Sequence, residues 1–143
     1  MSFRFLENST FADTAFESEG KTPVNLFKSA AMALTSSMIG DVKKLDLRVV
    51  KKIDLSAANA ERLLYNFLKE LIRFKEAEQL LFGSYDIEIE QGDDAWNLKA
   101  VLKGDKIDPG CRELLADVKD VSLHHFRVEE TLKGWRAQAI LDV

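Results

Sequence analysis

Two stretches of this chain alternate apolar and polar residues on either side of a short polar turn, and each pair reads as an antiparallel hairpin. In the first, Tyr85, Ile87 and Ile89 are separated by Asp86 and Glu88, Gln91-Gly92-Asp93-Asp94 turns, and Trp96, Leu98, Ala100 and Leu102 return. The second closes the sequence. Val118, Asp120, Ser122, His124, Phe126 and Val128 fall on one side of an extended segment. Lys133-Gly134 turns it, and Trp135, Ala137, Ala139, Leu141 and Val143 fall on one side of the return. A third run, Leu45, Leu47, Val49, Ile53 and Leu55, keeps a period of two with charges between and predicts a half-exposed strand. Phe3 to Leu6 and Asp13 to Ser18, the latter closed by Gly20, are short strand candidates.

Two segments switch to helical spacing. Thr22-Pro23 opens the first, because threonine caps free amides and proline is tolerated at the first helical position. Phe27, Ala30, Ala31, Leu34 and Met38 give it one buried face, and Gly40 stops it. The second spans about Ala57 to Glu78, capped by Ser56, with Leu64, Phe67, Leu68, Leu71 and Lys75 along one stripe. It is expected to lie across a sheet. Asp105 to Ala116 reads as irregular or one short helix. Helices alternate with hairpins but without β-α-β-α regularity, so the class is α+β. The expectation is a single compact domain, residues 1–143, with antiparallel β-hairpins packed against two main helices.

Composition narrows the chemistry. A chain of 143 residues can bury a real core. No apolar run approaches the roughly 20 residues that span a bilayer, and no basic-then-apolar leader opens the sequence. With one cysteine, Cys111, an internal disulfide and a multi-cysteine zinc site are excluded, and a cytoplasmic address is expected. A formal charge of −4 argues against independent capture of RNA phosphates. Lys43, Lys44, Arg48, Lys51 and Lys52, interrupted by Asp46 and Asp54, read as the solvated flanks of a strand. There is no phosphate-binding glycine loop, no His-x-x-x-His and no nucleophile elbow. His124 and His125, on opposite faces of the expected strand, could not easily share a metal. Asp142 sits beside Val143, whose main-chain carboxylate would be a second anion within a few ångströms. Such a pair either frays into solvent or is held together by a cation or donors.

Several short patterns, in one order, resemble the archease family. Phe3-Arg4-Phe5-Leu6-Glu7 is similar to its opening Y-x-Y-L-E, and Ala12-Asp13 to the end of its H-T-A-D. Gly20-Lys21-Thr22 with Leu26-Phe27 and Ala30 to Leu34 resembles G-x-T-x-x-x-x-F-x-x-A-A-x-A-x. Gly104 to Pro109 resembles G-E-x-F-D-P, and Val118 to His124 resembles V-K-A-V-T-Y-H. Trp135 with the closing Asp142-Val143 resembles W-x-A-x-x-x-x-D. The family's His-Thr before Ala-Asp is missing, and Leu123 replaces its usual tyrosine.

The resemblance implies that Asp13 and Asp142 take positions where archeases bind a divalent cation, with the Val143 carboxylate as a third ligand. Oxygen donors without thiolate or imidazole suit Ca²⁺, Mg²⁺ or Mn²⁺ rather than Zn²⁺ or Cu²⁺. Lys119, His124 and Asp41 are weaker candidates for partner or supporting roles. The resemblance also implies a function: an accessory protein, not an enzyme, for a GTP-dependent RNA ligase in tRNA splicing or RNA repair. It would promote guanylylation of the ligase and repeated turnover. Alternatives are a general chaperone or modulator of nucleic-acid-modifying enzymes, and a metal-dependent phosphohydrolase. The last would need a base that the sequence does not offer.

Overall fold

The computed structural model describes residues 2–6, 13–107 and 115–143, with Asp13 by its backbone alone. The expectations on Glu7 to Ala12, on Asp108-Pro109 and on Cys111 lie outside the described residues. Two antiparallel sheets and two long helices make up the fold. The five-stranded sheet contains β1 (Ser2–Phe5), β2 (Asp13–Gly20), β6 (Asp120–Val121), β7 (Arg127–Thr131) and β8 (Gly134–Asp142). In it β8 is central: β2 pairs along one side, and β7 then β6 pair along the other. The three-stranded sheet has the order β3 (Val49–Ala57), β5 (Trp96–Lys106), β4 (Leu80–Gln91). The α+β expectation holds, and every strand pair is antiparallel.

The first helix, α1 (Pro23–Ile39), begins as its sequence requires: the Thr22 hydroxyl accepts from the Asn25 amide at 3.2 Å. Leu26, Phe27, Ala30, Ala31, Leu34 and Met38 are buried along it. The small residues let it pack closely on β2 and β4. The second helix, α2 (Ala60–Glu78), turns Leu63, Leu64, Phe67, Leu68, Leu71 and Ile72 inward. Phe27 and Phe67 stack where the helices meet, and Trp96 touches Trp135 edge-on across the two sheets. No helix among the described residues is long and apolar enough to cross a membrane.

Three boundaries differ from the sequence expectation. The helix α2 is capped by Asn59, whose side chain accepts from the Arg62 amide at 2.8 Å, and not by Ser56. Ser56 stays in β3, opposite Asn97, because the ladder bonds to β5 run on to Ala57. Asn59→Ala should therefore cost about 1 kcal/mol of stability and Ser56→Ala almost nothing, measured by urea melts. The strand β3 starts at Val49 and not Leu45, since Val42–Lys44 forms a 3-10 turn that buries Val42. The strand β5 continues through Asp105 to Lys106, so the irregular segment begins later than expected.

The extended segment from Val118 to Val128 is broken. It pairs with β8 at Asp120–Val121 and again from Arg127, and Leu123 to His125 form an exposed turn between. His125 takes a left-handed φ of 58°, which ends the alternation. The two histidine rings therefore lie side by side, centroids 3.8 Å apart, and not on opposite faces of a strand. The last hairpin turns at Gly134 as its sequence requires; φ of 140° there is open to glycine alone.

Candidate metal centre

The end of β8 brings aspartates together. In the β2–β8 register Asp13 stands opposite Asp142, and in the β6–β8 register Asp120 stands opposite the same residue. Three aspartates thus occupy one row across three adjacent strands. Directly opposed residues of antiparallel strands send side chains to one face, with Cβ atoms roughly 4.5–5.5 Å apart. Leu141, one residue earlier, is fully buried against the core, so the Asp142 and Asp120 side chains take the outer face. Like charges so placed repel, and the row calls for positive charge.

Part of that charge comes from α2. The Lys69 ammonium donates to Asp120 Oδ1, whose oxygen also accepts from the Val121 amide at 2.8 Å. This hydrogen bond is the main reason the Asp120 carboxyl is held below the usual carboxylate range. The same bond raises Lys69 above its ordinary value, with smaller contributions from the charges of Asp120, Tyr65 and Asp142. The Lys69 charge therefore offsets the β6 end of the row. One and a half turns further on, Lys75 is buried to 6% exposure, donates to the Val118 carbonyl at 2.6 Å and pairs with Asp117. Two lysines of α2 thus fasten the β6 segment. Lys75 was visible in the sequence only as part of an apolar stripe.

The expected site residues separate into two groups. Asp13, Asp142 and Val143 come together at the sheet end, Val143 packing partly against the core. Lys119 joins them: its amide donates to the Asp142 carbonyl at 2.8 Å, and its side chain is exposed. Asp41 is used otherwise, capping the 3-10 turn by accepting from the Lys43 amide at 3.0 Å. His124 sits on the exposed turn, its amide bonded to Ser122 Oγ at 3.0 Å. Asp120 and Lys69 were not expected. The first carries a signal, since Lys119-Asp120-Val121 puts an acid where the family pattern reads K-A-V. The second carries none, because the pair spans 51 positions of sequence.

Among the described residues no three His, Cys, Asp or Glu side chains form a metal-holding group. The candidate set is complete only with Asp13, described here by backbone register. Its donors are all oxygen, which suits a hard cation. The Lys69 ammonium already pairs with one member of the row, Asp120.

Such a chain is defined as a small two-sheet α+β protein with an acidic row at a sheet end and no nucleophile–base arrangement recognised in its sequence. The profile of the archease protein family matches residues 3–143. The archease of Pyrococcus furiosus is 32% identical over 133 residues, covering 92% of this chain and 93% of that protein. The solution structure of Methanobacterium thermoautotrophicum protein 1598 superimposes with a TM-score of 0.85 at 26% identity, covering 99% of this chain and 98% of that one. A Thermotoga maritima crystal structure, described as an archease and possible chaperone, shares the fold with a TM-score of 0.59 at 14% identity over 96% of each chain. This chain belongs to the archease family.

Proposed function

We propose that this protein is a non-catalytic accessory protein of a GTP-dependent RNA ligase, promoting ligase guanylylation and multiple turnover through a divalent cation held at the end of β8. The observation that carries the reading is the row in which Asp13 and Asp120 flank Asp142. Asp13 and Asp142 would hold the ion, with the Val143 carboxylate as a further oxygen donor where the chain ends at that residue. Bound there, a Ca²⁺, Mg²⁺ or Mn²⁺ ion supplies a positive centre for phosphate oxygens. The chain's own part is to fix the donors: β2 and β8 set the Asp13–Asp142 spacing, and Lys69 and Lys75 hold the β6 edge in place. Lys119, exposed beside Asp142, would meet an anionic group of the partner.

Net charge supports a protein partner over direct RNA capture, because a −4 chain is on balance repelled by a phosphate backbone. The test is RNA joining with substrate in excess over a ligase from the same source. Substoichiometric protein should turn a single round of joining into many, and Asp142→Ala should return the reaction to one round. If Asp142→Ala supports as many rounds as the unaltered protein, the row is not the working site. Where the chain ends at Val143, a tag appended there should weaken cation binding, since it removes the free carboxylate.

A further inference from the structure

We infer that the cleft between the start of α2 and the turn from Leu123 to Phe126 docks a segment of the partner ligase that carries an apolar side chain beside a carboxylate. The inference rests on the accessory role proposed above and adds the surface and the chemistry by which the partner is held.

The cleft has a volume of about 280 Å³, with Asn59, Arg62 and Tyr65 on one side and Leu123 and Phe126 on the other. Both walls are fixed. Asn59 caps α2 by accepting from the Arg62 amide at 2.8 Å. Opposite it, the Phe126 amide donates to the Leu123 carbonyl at 3.2 Å and closes a four-residue turn, with His125 left-handed in its third position. The Ser122 amide donates to the Ile140 carbonyl at 2.9 Å, and the Val128 amide to Glu61 Oε1 at 3.0 Å. The turn is thus tied to β8 on one side and to α2 on the other. A surface already held in shape loses little freedom on association.

Its chemistry is mixed. Leu123 is 60% exposed, whereas Phe126, three residues on, is buried. Covering that leucine recovers apolar burial that the free protein forgoes. Phe126 stands at right angles to Tyr65, centroids 5.5 Å apart, and the two rings make an apolar floor. Arg62 lies over the Tyr65 ring, 5.0 Å from its centroid, and among the described residues forms no ion pair. Glu61, the other charge in the cleft, is engaged by the Val128 amide. The complement of an apolar floor with one unpaired guanidinium is an apolar side chain next to a carboxylate. Arginine and tyrosine in such pockets are among the residues that dominate protein–protein binding.

The same features favour protein over RNA. A base needs an open ring to stack on, and Tyr65 is already taken up by Arg62 and Phe126. A phosphate backbone needs a track of cations, and Lys69, one turn along α2, is spent on Asp120. That turn of helix also sets the place of the cleft. Tyr65 and Lys69 are neighbours on α2, and Lys69 reaches Asp120, so a segment docked here lies beside the row at the end of β8.

The experiment is calorimetric titration of the full chain into the ligase from the same source, followed by GMP attachment over a range of protein concentrations. Leu123→Ser and Arg62→Gln should each weaken binding about tenfold. Both side chains are exposed, so melting should be unchanged. Saturating amounts of either variant should restore the full attachment rate, which separates docking from any part in the chemistry. Lys133→Ala, in the turn at the other end of β8, should bind as the unaltered protein does. Unchanged affinity in both variants overturns the docking site and leaves the accessory role standing. Weakening by Leu123→Ser alone overturns the carboxylate half of the assignment. Single-stranded RNA bound by the protein alone and lost in Arg62→Gln would make RNA the occupant instead. Self-association lost in Leu123→Ser, seen by sedimentation, would make it a second copy. No binding of the ligase by the unaltered protein overturns the accessory role, and this inference with it.

Discussion

Millimolar Ca²⁺ or Mn²⁺ should raise the melting temperature of this protein, and Asp13→Asn or Asp142→Asn should abolish the rise. A ligand that binds only the folded state at a hundredfold excess over Kd adds about 2.7 kcal/mol. For a chain of this size that corresponds to roughly 8 °C. The row exists only when β2, β8 and β6 are in register, so the unfolded chain offers no comparable site. Without metal the same substitutions should leave stability within about 1 kcal/mol of the unaltered protein, because they remove a like charge from a directly opposed pair. Stability lost equally with and without cation would mark the aspartates as structural. Scanning calorimetry in EDTA and in each metal distinguishes the outcomes.

Gly104→Ala should be among the most damaging single changes outside that row. A Cβ at Gly104 would lie 1.9 Å from the Leu81 carbonyl oxygen and 2.7 Å from the Phe82 Cα. Both are main-chain atoms of the neighbouring strand, and neither can swing aside as a side chain would. The pairing slips by one residue between Phe82 and Ser84, which brings the β4 backbone in against Gly104. To admit a methyl group the two strands must part where Phe82 packs edge-on against Phe74. The expected cost is about 3 kcal/mol or more, at the upper end for overpacking. Gly83→Ala, whose Cβ would come no nearer than 3.2 Å to a neighbouring atom, is the comparison to run beside it in urea melts. A Gly104→Ala protein as stable as the unaltered one would contradict the close strand approach.

Gly104 shows what kind of information the sequence carried. It could be aligned with a family glycine from the chain alone, but its reason lies in a bulge on another strand. Local rules served well where local chemistry decides. Thr22-Pro23 opened α1, and the period of two in β4, β5 and β8 gave the right faces. They failed where a competing partner lay elsewhere. Ser56 looked like a cap until β5 claimed its backbone. The candidate site follows the same division. Asp13, Asp142 and Lys119 were found through pattern, and β8 does bring them to one end of the sheet. Asp120 was in view as part of that pattern, but its place opposite Asp142 depends on β6 joining β8 beyond the His124-His125 turn. Lys69 belongs to a helix distant in sequence, and nothing in its neighbours marks it as facing an acidic row.

The central claim is that this acidic row, loaded with a divalent cation, speeds the charging of a partner ligase. Its most direct measurement is the rate of radiolabelled GMP attachment to a GTP-dependent RNA ligase from the same source, with divalent metal present. The protein should accelerate attachment at substoichiometric amounts. Asp13→Ala and Asp142→Ala should lose nearly all of the gain while still folding, and Lys119→Ala a smaller part. An attachment rate unchanged by the unaltered protein would contradict the account.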